Sequence, residues 1–349
     1  MKEPSVHSDW YRFQRDQQRR YRLLYDRARL VRAIRAFFDR QAFLEIEAPI
    51  LVPCPGLELH LDAYKVEAAD HYLITSPEYQ LKRLLSAGFE KIFSLGKVFR
   101  RGESGPHHNP EFTMLEWYRA HQGWKQIAED VQLLCAQIAQ VQHGSPLFSY
   151  QGKRVDLRTP WEWMSVEEAC KRHAGCPIRG DEPVAQLVRW AQERSCPLPT
   201  DVSHWDDVFF SIFMHLVEPH LGAPPTATEP YRPVVLYDWP RPLCALAQVH
   251  PEKPWVVERF EAYVAGLELC NGFGELCDPV EQYARFQRDV QERQHRGLPA
   301  YPIDERFLAA LDHGMPPSAG VALGVDRLMM LVLDVSTIED IVPFPIATL

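Results

Sequence analysis

Apolar positions along this chain recur with two periods, and the places where one period gives way to the other outline its elements. Over residues 10 to 41, Leu30, Val31, Ile34, Phe37 and Phe38 fall on one face at helical spacing, which predicts a long helix. Residues 43 to 51 then read as a strand that ends around Pro49. A short strand is predicted over 72 to 75 and a helix over 79 to 86. That helix is opened by Ser76, Pro77 and Glu78: a capping residue, a proline at the first helical position and an acid in the first turn. Between Lys97 and Arg119 a strand reaches Arg100, Gly102 to Pro110 has loop composition, and a second strand follows. Alternation puts Phe112, Met114, Glu116 and Tyr118 of that second strand on one face. An amphipathic helix is expected over 124 to 141, a hairpin over 149 to 157, and helices over 165 to 174, 183 to 194 and 206 to 220. A strand is expected over 233 to 237, and a glycine-bearing strand from Gly320 runs into an apolar helix after Gly324. The mostly helical middle region, about 124 to 225, reads as packing around a site formed elsewhere. Residues 1 to 9 are expected to be disordered.

Composition narrows the classes of function. With 38 Lys and Arg against 47 Asp and Glu, the net charge of −9 excludes a protein that is basic throughout and binds nucleic acid non-specifically. Ten arginines and three aspartates lie between residues 10 and 40, which fits either a solvated helix face or a docking surface for an acidic partner. Eight scattered cysteines without a CxxC pair point to reduced thiols, and Cys170, His173 and Cys176 lack the second pair that a structural metal site would need. The longest apolar run, residues 328 to 333, is far too short to span a bilayer, and the N-terminus has no apolar signal core. The expectation is a cytoplasmic protein that does not engage a membrane.

The chemistry concentrates in three stretches. The hairpin places a guanidinium (Arg100), an aromatic plate (Phe112), a carboxylate (Glu116) and a phenol (Tyr118) on one surface, which suits a nucleoside triphosphate beside a cationic small molecule. In the run from Gly266 to Leu276, Glu268 and Glu275 bracket what reads as a glycine-containing turn, able to offer two hard oxygen ligands to a Mg²⁺ already held by phosphates. That run lacks the third glycine of a dinucleotide fingerprint, and no GxxxxGK[ST] occurs. Arg327, in the opening turn of the last helix, is either a buried structural arginine or a phosphate ligand.

Phe99-Arg100 followed by His108-Asn109-Pro110-Glu111-Phe112-Thr113 resembles motif 2 of the class II aminoacyl-tRNA synthetases, and is most similar to that of the lysyl enzymes. Residues 43 to 51 resemble motif 1, and Gly320 to Arg327 match motif 3, GxxxGxDR. The resemblance implies one α/β catalytic domain over residues 10 to 349, an antiparallel sheet flanked by helices, dimeric through motif 1, using ATP and Mg²⁺. By resemblance Ser76, Pro77, Glu78, Glu116, Tyr118 and Glu275 hold the amino acid. Arg100 and Arg327 are catalytic and bind the phosphates, and Arg101, Gly102, Glu103, Asn109 and Phe112 surround the nucleotide. Glu268, Leu269 and Gly324 add contacts to ATP, and Glu268 with Glu275 holds the metal. Motif 1 begins too early for an anticodon-binding barrel to precede it, so transfer RNA is not the expected acceptor. Within the class, the whole pattern is similar to lysyl-synthetase paralogues that ligate (R)-β-lysine to a lysine of elongation factor P.

Two departures from the lysyl pattern stand out. The motif 2 carboxylate is displaced by one position: either Glu103 reaches in from the loop or the backbone of Gly102 replaces that contact. Ala322 stands where lysyl enzymes carry a glycine, and the added methyl is expected to disfavour α-lysine relative to β-lysine.

Overall fold

A computed structural model describes residues 14, 16–224 and 226–349, so the expectation for residues 1 to 9 and the first turns expected of the opening helix lie outside the described residues. The first helix, α1, is Gln17–Arg40, with Leu30, Ile34, Phe37 and Phe38 buried as the periodicity requires. Eight strands form the main sheet: β1 (Leu44–Glu45), β2 (Lys91–Phe99), β3 (Glu111–Ala120), β4 (Glu162–Ser165), β5 (Val234–Pro240), β6 (Val256–Val264), β7 (Leu267–Gly274) and β8 (Ser318–Gly324). Their spatial order is β1-β2-β3-β8-β7-β6-β5-β4.

The interior pairs are antiparallel, but β1 on β2 and β4 on β5 are parallel, so the sheet is mixed rather than wholly antiparallel. Parallel neighbours need a long crossover, and the chain supplies two. Residues 46 to 90 contain a small three-stranded sheet and helix α2 (Glu78–Ser86). Residues 166 to 233 contain the middle helices, among them Val184–Glu193 and Trp205–Ile212. Helix α3 (Trp124–His143) belongs to the main core, and the hairpin Leu147–Tyr150 with Lys153–Asp156 intervenes.

Strand β3 shows how the sheet divides core from site. Leu115 and Trp117 are buried in the core beneath α1 and α3, where Phe38, Ile127 and Leu134 meet them. The alternate residues, Phe112, Met114, Glu116 and Tyr118, line a cavity on the opposite face. Helices α4 (Pro279–His295) and α5 (Val325–Val332) flank the sheet, and Gly324 at the end of β8 leads directly into α5. Asp326 in the first turn of α5 accepts the Thr113 amide at 2.7 Å and the Arg27 guanidinium at 2.5 Å, which ties α5, β3 and α1 together beneath the site.

Candidate active site

The cavity on the open face of the sheet has a volume of about 1580 Å³. Ordinary small-molecule sites occupy about 300–1,000 Å³, so this one has room for two co-substrates and part of a third.

At one end lies a buried acidic pocket. The pairing of β8 with β3 sets Ala322 opposite Glu116 and Gly320 opposite Tyr118. Glu116 accepts hydrogen bonds from Ser76 Oγ at 2.6 Å and from the Tyr118 hydroxyl at 2.7 Å. Ser76 also accepts the Glu78 amide at 3.2 Å, although the helix starts at Glu78 with Pro77, rather than Ser76, in the cap position. Lys82, one turn into α2 and fully buried, sits 2.5 Å from Glu78 Oε1 and 2.5 Å from Glu275 Oε2. Lys82 thus bridges the two acids, and Glu275 Oε1 has no hydrogen-bond partner among the described residues.

Two carboxylates thus contact one ammonium, and a third, Glu116, lies near enough for its charge to be felt. Burial, reinforced by the charge of Glu78, pushes Glu116 up to about 8. Burial pushes Glu275 up to about 8 although Lys82 opposes it. Lys82 itself is raised, because Glu275 and Glu78 outweigh the cost of its burial. A pocket of this kind is short of positive charge and accommodates a ligand with more than one ammonium group.

Gly320 is indispensable to the shape of the pocket. A Cβ there would overlap the Tyr118 ring and come within 2.9 Å of Glu275 Oε1.

The other end is basic. Arg100 lies over the Phe112 ring at 5.2 Å and 3.6 Å from Glu103. Arg327 donates to the Glu268 backbone carbonyl at 2.9 Å, is 3.2 Å from its carboxylate, and meets His108 Nε2 at 2.6 Å. A Cβ at Gly324 would touch only the Arg327 side chain at 3.7 Å, so no close protein contact demands glycine there. Glu103 lines the cavity, whereas Gly102 and Arg101 do not. Of the two alternatives for the shifted motif 2 carboxylate, Glu103 is the one placed in the site. Arg101 turns outward to Asp62 at 3.3 Å.

Two further expected site residues serve the scaffold. Pro77 is buried at the start of α2 outside the cavity lining. Asn109 lines the cavity, yet its side chain donates to the Glu111 carbonyl at 2.6 Å and accepts the Ile346 amide at 3.0 Å, which holds the hairpin loop against the C-terminal segment. Cys170 and Cys176 are buried in the apolar core of the middle region, and His173 stacks on His220, so these three form no ligand set.

The pairing of Glu268 with Glu275 on one metal is corrected. Residues 267 to 274 form a continuous strand, not a turn, and seven residues along a strand span on the order of 20 Å. Glu268 lies beside Arg327 and Glu275 beside Lys82, at opposite ends of the site. The carboxylate that faces Glu268 is Glu261 on β6, overlooked in the sequence. A bulge at Leu269 shifts the β6–β7 register so that Tyr263 opposes Glu268 while Ala262 opposes Cys270. Leu269 puts its side chain in the core and leaves its backbone toward the cavity. Burial pushes Glu261 up to about 7, and the charge of Glu268 adds to the rise although Arg259 opposes it. Lys82, Glu261 and Gly320 were the functional positions missed. The periodic signal for Lys82 was present, four residues after Glu78 on a helix.

A mixed sheet with an amine-sized acidic pocket at one end and two arginines at the other defines a synthetase-type activating site. The family model for class II tRNA synthetases (D, K and N) matches residues 6–348, and the chain belongs to that family. It is similar to the elongation factor P–(R)-β-lysine ligase of Haemophilus influenzae strain PittGG, with 40% identity over 332 residues, 93% of this chain and 94% of that protein. The ligase of the same name from Mannheimia succiniciproducens is 39% identical over 330 residues, covering 92% and 94%. That of Yersinia enterocolitica is 38% identical over 333 residues, covering 93% and 94%.

Proposed function

We propose that this protein is an ATP-dependent ligase that activates (R)-β-lysine as its adenylate and transfers it to the amine of a lysine on elongation factor P. The observation that carries the reading is the buried set of Glu78, Glu116 and Glu275 around the single cation Lys82. Once Glu116 and Glu275 release the protons that burial lets them hold, three acids and one base leave two negative charges for a substrate with two ammonium groups. In the first half-reaction the substrate carboxylate attacks the α-phosphate of ATP, and pyrophosphate leaves. Arg100 and Arg327 neutralise charge on the phosphates and hold them in line, with Phe112 as the plate beneath the base. No protein nucleophile is required.

Glu261 and Glu268 fit a magnesium ion. They are hard oxygen donors on neighbouring strands, and their mutual repulsion is relieved by a cation. Bound there, the ion would neutralise phosphate charge. The chain's own contribution is to fix the two acids, with Arg259 and Tyr263 holding Glu261 and Arg327 holding Glu268. Leu44, Ile50 and Leu51 beside the edge strand β1 are 49%, 47% and 43% exposed, an apolar strip that supports a homodimer through motif 1. Among the described residues no helix is long and apolar enough to cross a membrane.

The deciding experiment is the intact mass of elongation factor P after incubation with this enzyme, ATP, Mg²⁺ and (R)-β-lysine, beside arms with α-lysine and with transfer RNA. Gain of one β-lysyl unit on the protein is expected. Charging of transfer RNA instead would make this a minimal synthetase, and silence in every arm, with no pyrophosphate formed, would make it a non-catalytic paralogue.

A further inference from the structure

The transfer step of the proposed reaction has a chemical requirement that the residues above do not meet. The acceptor amine of a lysine has an ordinary pKa near 10.4, so only about one molecule in a thousand is a free nucleophile near neutral pH. A proton acceptor is needed close to the adenylate carbonyl, which must lie between the amine pocket and the arginine that holds the α-phosphate. We propose that Glu58 is this general base, a carboxylate that lines the cavity beside Glu78 and Arg100 and takes the proton of the incoming lysine. The assignment rests on the ligase reading given above.

Glu58 lies in the loop that follows the short strand Leu51–Val52 and lines the same cavity as Glu78, Glu116 and Arg100. Its Oε2 is fully buried and accepts no hydrogen bond from any other described residue. A carboxylate oxygen removed from water with no donor is costly unless a ligand supplies one, and an incoming ammonium does so.

The sequence makes room for this arrangement. A Cβ at Gly56 would overlap Glu58 Oε2, so the carboxylate occupies space that only glycine leaves open. The loop is clamped from behind by Arg293 of α4, which is itself buried. Its guanidinium donates to the Glu58 carbonyl at 2.8 Å and the Leu61 carbonyl at 3.2 Å, and pairs with Asp62 at 2.7 Å. The backbone that carries the base is therefore fixed independently of substrate.

The charged and titratable groups around Glu58 are Glu78 and Tyr79 on α2, Arg100 at the end of β2, and Asp289 on α4. Burial, followed by the charge of Glu78, raises its carboxyl to about 7 against the opposing pull of Arg100. A base tuned near the working pH is the most effective kind. The same cavity is also lined by His60, Phe210 and Met214, residues outside the amine pocket and the arginine end described above.

The acceptor enters as R–NH3⁺ and gives one proton to the Glu58 carboxylate. The free amine attacks the adenylate carbonyl and the N–C bond forms. The C–O bond to AMP breaks with its electron pair leaving on the phosphate oxygen. The second proton lost by nitrogen goes to that phosphate, so the products are the amide, AMP as its monoanion and protonated Glu58.

The test is the ratio of single-turnover aminoacyl transfer to adenylate formation, measured on the same preparation of full-length enzyme with elongation factor P as acceptor. Wild-type adenylate formation and labelling of the acceptor are established first, and failure at that point would refute the ligase reading rather than the role of Glu58. In Glu58→Gln the ratio is expected to fall by about 10²–10³-fold. The levelling-off of the transfer rate above about pH 7 should be lost in that variant, whose rate should keep rising with pH toward the pKa of the free acceptor amine. With hydroxylamine as acceptor, a nucleophile already neutral at pH 7.5, the same variant should lose less than tenfold, a selectivity that a structural defect would not produce. Gly56→Ala, which displaces the carboxylate without removing it, should lower the ratio for the lysine acceptor by about tenfold and likewise spare hydroxylamine. An unchanged ratio in Glu58→Gln, or equal losses with the lysine and hydroxylamine acceptors, would overturn the assignment.

Discussion

Individual side chains in this site are defined by what they neutralise. Glu116 receives two hydroxyl hydrogen bonds and lies among acids, so its charge is useful only when an ammonium arrives. Glu116→Gln keeps the shape and removes the charge. The KM for the amino acid should rise about 10- to 100-fold, the worth of a hydrogen bond to a charged group at about 1.5–3 kcal/mol, while the KM for ATP changes little. Pyrophosphate exchange with each substrate varied in turn checks this. Ala322 lines the cavity next to Glu116 in the sheet register, where one methyl alters the room left for the substrate backbone. Ala322→Gly should move the ratio of activation rates toward α-lysine by about tenfold, consistent with about 1–3 kcal/mol for a methylene-sized change. An unchanged isomer ratio in the same exchange assay would remove Ala322 from the specificity account.

At the scale of elements, the arginine-rich α1 is a brace. Arg19 pairs with Asp340, Arg35 with Glu45 and Arg29 with Gln142, while Arg27 reaches the buried Asp326 beneath the site. These intramolecular contacts engage four of the ten arginines that fit either a solvated helix face or a docking surface. Arg27→Ala would leave Asp326 buried with only the Thr113 amide and the N-terminal end of α5 to compensate it. The expected loss is about 3 kcal/mol of folding stability, read from the urea midpoint, since removing one partner strands the other in the core. The strand β7 teaches the opposite lesson. Glycine is frequent in turns, yet Gly272 and Gly274 lie inside a strand because neighbouring groups come too close for a side chain. At Gly272 a Cβ would overlap the Phe260 ring, and at Gly274 it would overlap the Glu258 carboxylate.

For the whole molecule, the raised carboxyls couple stability to pH. Glu116 and Glu275 hold their protons up to about 8 when folded and release them near 4.5 when unfolded. The folded state therefore binds more protons across that window, and stability falls as pH rises from about 4.5 through 8. The melting temperature of the ligand-free protein should drop between pH 6 and 9, and saturating lysine should shrink the drop. Calorimetry at pH 7 in buffers of different ionisation heat should show protons released when lysine binds. No dependence of binding heat on buffer would contradict the acidic pocket described here. Much of this molecule was legible from the sequence. Local periodicity set α1, α3 and the β2–β3 hairpin, because alternation and helical spacing are properties of neighbours in the chain. Local motif chemistry likewise brought Ser76, Glu78, Arg100, Glu116, Tyr118 and Arg327 into one cavity. Tertiary structure alone decided which charges meet. Glu275 joins Lys82 and Glu268 faces Glu261 because of strand register and the bulge at Leu269, and the burial that raises their pKa values comes from elements remote in sequence. Spacing along a chain specifies which face a side chain occupies, but distance across a sheet is fixed only when the strands have paired.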